Sequence, residues 1–245
     1  MKLAIMQPYF FPYIGYWQLM DAVDTYVIYD DVNYINRGWI NRNRILFNGK
    51  PRYFNLPMHG SSQNKLINEI EVDKDEILRD RNLSILKEAY HKAPYFDEIY
   101  PIITEILNSD ADNVASFIAD SFRILCFYLG ITTERILSSE IDKDSSLKGE
   151  DKIIDICKAL GAKHYINAIG GVELYHEDIF RSNGIEISFL KTKDIKYRQF
   201  DNEFENSLSI IDIMMFNSME ETRAMLKKCE IIPAKSFVGG GISPL

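Results

Sequence analysis

The chain opens on a short apolar run, Leu3-Ala4-Ile5-Met6, stopped by Gln7-Pro8. A run of that length without polar interruption predicts a strand covered on both faces. Pro12 and Gly15 break the next segment into a loop, and from about Tyr16 the positions Leu19, Met20 and Val23 fall on one helical face. Residues 25–29, β-branched and aromatic, predict a second buried strand that ends at Asp30-Asp31. Strand, loop, helix and strand in such quick succession predict a βαβ unit and a parallel sheet. Residues 44–47, then Asn48-Gly49, then 51–56 predict a β-hairpin, with the Asn-Gly pair supplying the positive φ angles of its turn. Residues 59–65 are a polar loop, and Ile67, Ile70 and Val72 predict another short strand.

From 75 to 130 the period changes. Ile77, Leu78, Ile85, Leu86, Ala89 and Tyr90, then Val114, Phe117, Ile118, Leu125, Tyr128 and Leu129, recur at helical spacing; Pro94 and Pro101 divide the stretch and Gly130 ends it. Beyond it the pattern predicts a strand at 135–137, an amphipathic helix at 151–160 closed by Gly161, and strands at 164–166 and 185–190. An apolar helix at 210–216 comes next, and Gly239-Gly240-Gly241 reads as a flexible tail. The expected fold is α/β, three-layer, with a mainly parallel, Rossmann-like sheet. It forms one domain over 1–245 with a helical subdomain at about 75–130.

Composition narrows the partners. Lys plus Arg is 28 and Asp plus Glu is 36, a net charge of −8, and the isoelectric point near 5.1 excludes a nucleic-acid binder that relies on bulk charge. With 14 Phe, 14 Tyr and 2 Trp the chain buries enough apolar surface to order itself. The first apolar run is too short for a signal peptide and none is long enough to span a membrane, so no membrane insertion and a cytoplasmic address are expected. Cys126, Cys157 and Cys229 are far apart and the histidines are scattered, so buried free thiols and no metal site are expected.

The chemistry concentrates in residues 7–44. Ligands of an open parallel sheet sit outside the carboxyl ends of its strands, which brings Gln7 and Asp30-Asp31 to one crevice. The Pro12–Gly15 loop leads there into a helix whose first amides attract anions. Arg37, Arg42 and Arg44, with Trp39 and Asn41 among them, make a planar multi-donor surface for carboxylate or phosphate. Asp30 is the expected proton acceptor, Asp31 is expected to position the 37–44 segment, and the Tyr16 hydroxyl joins them as a catalytic candidate. Lys148, just before a helix, is placed to neutralise a bound anion; Tyr165 leads from its strand toward Gly170-Gly171, where backbone can approach a ligand. Asp212, inside an apolar helix, needs a partner if buried, and an arginine from 37–44 is the expected one. The Pro12-to-Tyr16 loop invites comparison with the histidine loop of nucleotidylyl transferases, whose phosphate-binding histidines have no counterpart here.

Taken together, Gln7-Pro8, Phe10-Phe11-Pro12, Gly15-Tyr16, Asp30-Asp31, Arg37-Gly38-Trp39, Asn41-Arg42, Lys92, Pro94-Tyr95-Phe96, Gly161-Ala162, Tyr165-Ile166, Leu208-Ser209, Asp212 and Asn217 resemble the WbqC-like family. The resemblance implies a bacterial transferase of O-antigen or other surface-polysaccharide biosynthesis, moving an acyl or aminoacyl group to an amino sugar on a nucleotide carrier. Its partner would be a small sugar precursor and its donor a nucleotide-linked or otherwise activated acyl group; no other cofactor is assigned. A second copy of the chain is a candidate partner. Two other classes stay open: an ATP-dependent ligase or nucleotidylyl transferase, and a non-catalytic sugar-nucleotide binding protein.

Overall fold

The computed structural model describes residues 1–201 and 203–237; the glycine tail at 239–241 lies outside them. The apolar run forms β1 (Lys2–Met6), followed by α1 (Ile14–Asp21) and β2 (Thr25–Ile28). β2 lies parallel to β1, with Leu3 opposite Thr25 and Met6 opposite Ile28. Further along come β7 (Glu134–Leu137), α5 (Gly149–Ala159), β8 (His164–Ala168), α6 (Glu177–Ser182) and β9 (Glu186–Thr192). The described chain closes with α7 (Ile210–Phe216), α8 (Met219–Leu226) and β10 (Cys229–Pro233).

The sheet order is β10-β9-β8-β1-β2-β7, all parallel except β10, which pairs antiparallel with β9. From β1 the chain therefore steps outward to β2 and β7, jumps back across β1 to β8, and steps outward the other way. The order reverses between β1 and β8, the place where open α/β sheets leave a crevice at their carboxyl ends. Alternating side chains divide the core. Ala4, Tyr26, Ile28 and Ile166 pack with α1, α7 and α8, whereas Leu3, Ile5, Val27 and Tyr165 pack with α5 and α6. This is the three-layer, Rossmann-like α/β fold expected from the pattern.

The connection from β2 to β7 carries an insertion: the hairpin β3 (Arg42–Phe47) and β4 (Lys50–Asn55), the short pair β5 (Met58–His59) and β6 (Glu71–Val72), and the helices α2 (Glu76–Tyr90), α3 (Phe96–Leu107) and α4 (Val114–Leu129). At the hairpin turn Asn48 and Gly49 both take positive φ, 51° and 73°, and Gly130 ends α4 in the left-handed region. Two expectations change. The strand expected from Ile67 opens instead with a 3-10 turn, Ile67–Glu69, because Ile67 and Ile70, three residues apart, are both fully buried. Pro101 lies inside α3 rather than ending a helix; the buried stripe Ile99, Ile103 and Ile106 outweighs one forfeited backbone hydrogen bond. The pattern also left α6, α8 and β10 unread.

Candidate functional site

The loop leaving β1 is strapped to the hairpin. The Phe10 amide donates to the carbonyls of Trp39 and Ile40 at 3.2 and 3.1 Å. Buried Asn43 donates through Nδ2 to the carbonyls of Phe10 (3.2 Å) and Phe11 (2.9 Å), and Ser209 Oγ donates to the Phe11 carbonyl at 2.8 Å. Phe10 and Phe11 are core, packed on Phe54. Their neighbours Tyr9, Pro12 and Tyr13 instead join Trp39, Asn43, Arg44 and Ser207 around a pocket of about 280 Å³. It lies on the loop that leaves the carboxyl end of β1. Gly15 has a packing reason of its own: a Cβ there would sit 2.5 Å from the Tyr13 ring and 2.7 Å from Thr192 Oγ1.

On the hairpin, Arg42 Nε donates to the Gly38 carbonyl at 3.0 Å and its Nη2 to that of Arg37, whose backbone is left-handed with φ 61°. Arg42 thus closes its own loop. Asn41 braces the hairpin, accepting from Tyr34 OH at 2.9 Å and donating to the Leu56 carbonyl at 3.3 Å. Arg44 Nη2 donates to the Ser207 carbonyl at 3.3 Å, while its Nε is buried without a hydrogen-bond partner. Of the arginines expected to bind, Arg44 is the one that lines the pocket.

A model of the WbqC-like protein family matches residues 7–224. The chain belongs to this family. It is also 26% identical over 231 residues to a Mycobacterium tuberculosis (strain ATCC 25618 / H37Rv) protein called "Uncharacterized protein Rv1507c", covering 93% of this chain and 98% of that one. No solved structure matches.

Elsewhere on the carboxyl edge this WbqC-like chain uses its polar groups on itself. Gln7 directly follows β1 and Asp30 lies two residues past the end of neighbouring β2, the Tyr29 amide donating to the Met6 carbonyl at 2.8 Å. Asp30, however, is 1% exposed and already accepts from the Ser139 amide (2.9 Å), Ser139 Oγ (2.6 Å) and Asn68 Nδ2 (3.1 Å). That carboxylate ties β2 to the segments after β7 and β5, which corrects its expected place as a free proton acceptor. Asp31 does not reach the 37–44 segment. Its Oδ2 takes Lys143 Nζ at 2.9 Å and Lys152 Nζ at 3.2 Å, with side-chain exposures of 15% for Asp31, 4% for Lys143 and 7% for Lys152. Burial pushes the Asp31 carboxyl up, but the Ser138 hydroxyl and the two ammonium groups outweigh it and hold it below the usual range.

The other expected residues also separate. Tyr16 is buried and donates to the Gln7 carbonyl at 2.8 Å; burial pushes its phenol far up, so it keeps its proton and acts as a strut. Tyr165 is fully buried, stacked on Phe180 with centroids 5.6 Å apart, its hydroxyl bonded to Asn167 and Tyr175. It does not reach the crevice. Gly171 packs on the Asn167 side chain whereas Gly170 faces open space. Lys148 is exposed at the start of α5, and Lys152, one turn on, is the lysine that reaches the strand ends. Asp212 is fully buried but meets no arginine: Tyr90 OH (2.8 Å), Tyr197 OH (2.6 Å) and Gln199 Nε2 (2.7 Å) donate to it. Burial raises its carboxyl, and those three hydrogen bonds pull it only part way back.

The expected site residues did not include Tyr9, Tyr13, Asn43 and Ser207 of the pocket, or Lys143 and Lys152 beside Asp31, although Tyr13 and Asn43 lie in the segments where the chemistry was expected. One signal was available. Lys152 lies four residues before Ile156 on the apolar side of α5, and a cation on a buried helical face needs an acidic partner.

Proposed function

We propose that this WbqC-like protein is a cytoplasmic transferase of surface-polysaccharide precursor synthesis that holds a nucleotide-linked amino sugar and passes it an acyl or aminoacyl group. The observation that carries this reading is the pocket after β1, where Tyr9, Tyr13 and Trp39 wall a space into which Arg44 presents a guanidinium with a buried, unpartnered Nε. Aromatic walls with one convergent cation suit a ligand that is part ring and part phosphate. Transfer is direct: the amine nitrogen attacks the acyl carbon, the new C–N bond forms as the bond to the leaving group breaks, and the amine proton departs with that group. Asp30, Asp31 and Tyr16 serve as positioning residues in this reading. The test is mass spectrometry of products from a panel of sugar nucleotides and activated acyl donors. An acylated amino-sugar nucleotide supports the proposal; a product carrying AMP, or released pyrophosphate, would replace it with a ligase or nucleotidylyl transferase.

A second reading has its own support. The residues named around the pocket include no carboxylate and no imidazole, the usual proton carriers at neutral pH. A non-catalytic sugar-nucleotide binding protein would bind the same panel and turn none of it over.

A further inference from the structure

From residue 32 to residue 68 the charged side chains are Arg37, Arg42, Arg44, Lys50, Arg52 and Lys65, with no Asp or Glu, in a chain whose net charge is −8. Three arginines elsewhere find carboxylates: Arg79 has Glu76 and Asp80, Arg181 has Glu177 and Asp178, and Arg198 has Asp201. Arg135 and Arg223 donate to the carbonyls of Thr133 and Tyr128 but stack on no exposed ring pair of the described residues. Among the described residues, the hairpin arginines have carbonyls and aromatic rings instead. The Arg42 guanidinium lies 4.5 Å from the Tyr53 ring centre, Tyr53 and Trp39 are 6.4 Å apart at 37°, and the Arg44 guanidinium lies 5.9 Å from Trp39. Cation, ring, ring and cation form a ladder whose rings are 50% (Tyr53) and 39% (Trp39) exposed. Its Trp39 and Arg44 end is also the wall of the pocket.

Exposed rings held in place by guanidiniums that lack an anion suit a ligand that is flat, aromatic and negatively charged. A nucleobase stacks on such rings through its π face, and phosphates supply the missing negative charge. A pyranose face would also lie on the rings but would leave the guanidiniums uncompensated. We infer that the Arg42–Tyr53–Trp39–Arg44 ladder is the base-stacking platform of a nucleoside diphosphate, its base lying outside on the hairpin and its diphosphate turned toward Arg44 at the pocket mouth. This rests on the sugar-nucleotide reading and adds the direction in which the ligand lies. Tyr53, part of no motif in the sequence, becomes a binding residue.

Calorimetry with UDP, inorganic pyrophosphate and glucosamine 1-phosphate tests it, supported by tryptophan fluorescence. The two tryptophans differ usefully: Trp17 is fully buried and bonded to the Pro12 carbonyl, so UDP quenching reports Trp39. UDP should bind about 10-fold tighter than pyrophosphate, and Tyr53→Leu or Trp39→Leu should cost UDP on the order of 10-fold while leaving pyrophosphate within about 2-fold. Arg44→Gln should weaken both. Circular dichroism checks that each variant folds, and Tyr53 is exposed enough for truncation to be tolerated. Equal affinity for UDP and pyrophosphate, with Tyr53→Leu indifferent, would overturn the platform and leave the sugar-nucleotide reading standing. Glucosamine 1-phosphate matching UDP and responding to Tyr53→Leu would also overturn it, assigning the rings to the sugar. If no probe binds, both fall.

Discussion

Two clusters of cations stand near the carboxyl edge of the sheet, and their surroundings could hardly differ more. On the α5 side, Lys143 and Lys152 share one oxygen of Asp31, and their remaining bonds go to the backbone carbonyls of Ser138, Ile141 and Asp31. Lys152 also lies 5.3 Å from the Tyr29 ring centre. The bonds these lysines make all go to the chain itself, although Asp31 Oδ1, like Arg44 Nε, is buried without a hydrogen-bond partner. On the hairpin side the arginines are held in shape by carbonyls and rings, while their charge is left without a carboxylate beside a pocket. A cation cluster closed on its own chain is architecture; the cluster held rigid but left without a carboxylate beside a cavity is the one on which the nucleotide proposal rests.

The contrast breaks most visibly at Asp31. Asp31→Asn removes the carboxylate from two nearly buried ammonium groups, and losing one partner of a buried pair costs about 3–5 kcal/mol. Urea denaturation should show that loss, while nucleotide affinity of the folded fraction stays near wild type. A loss below about 1 kcal/mol, in the range of exposed pairs, would mean the knot is solvated and the contrast with the hairpin is wrong. Next in size is Arg44→Ala, which should weaken nucleotide binding by about 1.5–3 kcal/mol, the range of a charge-assisted hydrogen bond. Because its charge is not paired inside the fold, thermal stability should fall by no more than about 0.5–1 kcal/mol. Calorimetry and thermal melts separate the two effects.

Asp31 and Asp212 sharpen the contrast through pH. Asp31, beside two ammonium groups, has its carboxyl held down; its stabilisation is present above the unfolded value and is lost as pH falls through the lower folded value. Asp212, surrounded by two phenols and an amide, is pushed up by burial. The fold then binds its proton more tightly than the unfolded chain does. The stability this gives is greatest at acid pH and is lost as pH rises from the unfolded value through the folded one, by up to about 1.4 kcal/mol per pH unit inside that window. Urea midpoints measured across the acid range should thus shift in opposite senses in Asp31→Asn and Asp212→Asn. Parallel shifts would contradict the assigned surroundings.

Much of the frame was legible because it comes from period. Residues 3–6 and 25–29 read as buried strands, Asn48-Gly49 as a hairpin turn, and Gly130 as a helix end; each is a local rule with a local outcome. The site was legible as a region and not as a set of contacts. Arg37, Arg42 and Arg44 look alike in sequence. Strand alternation puts both Arg42 and Arg44 on one face of β3. That Arg42 closes its own loop while Arg44 lines the pocket depends on the Gly38 and Arg37 carbonyls within reach of Arg42 and on Ser207, which arrives beside Arg44 from far along the chain with a left-handed backbone. Asp212 was rightly suspected of needing partners, but Tyr197 and Gln199 come from a segment with no periodic pattern. Pairings made across the fold leave no spacing to read.

The smallest expected effect separates Lys148 from Lys152, one helical turn apart on α5. The sequence pointed to Lys148 as the anion's partner, yet its side chain is exposed, whereas Lys152 donates to the Asp31 carbonyl and carboxylate. A cation at the start of a helix faces the positive end of its dipole, an unfavourable contact of about 0.3–1 kcal/mol in dilute salt. Lys148→Ala should therefore raise stability by a few tenths of a kcal/mol, an effect that fades as salt screens it, and leave nucleotide affinity unchanged. Lys152→Met, by contrast, should destabilise, because Asp31 then keeps a single ammonium. The sign at Lys148 decides the matter. If Lys148 held a phosphate, its removal would weaken binding with the same salt dependence, and the recognition surface would extend from the hairpin across the edge of the sheet to α5.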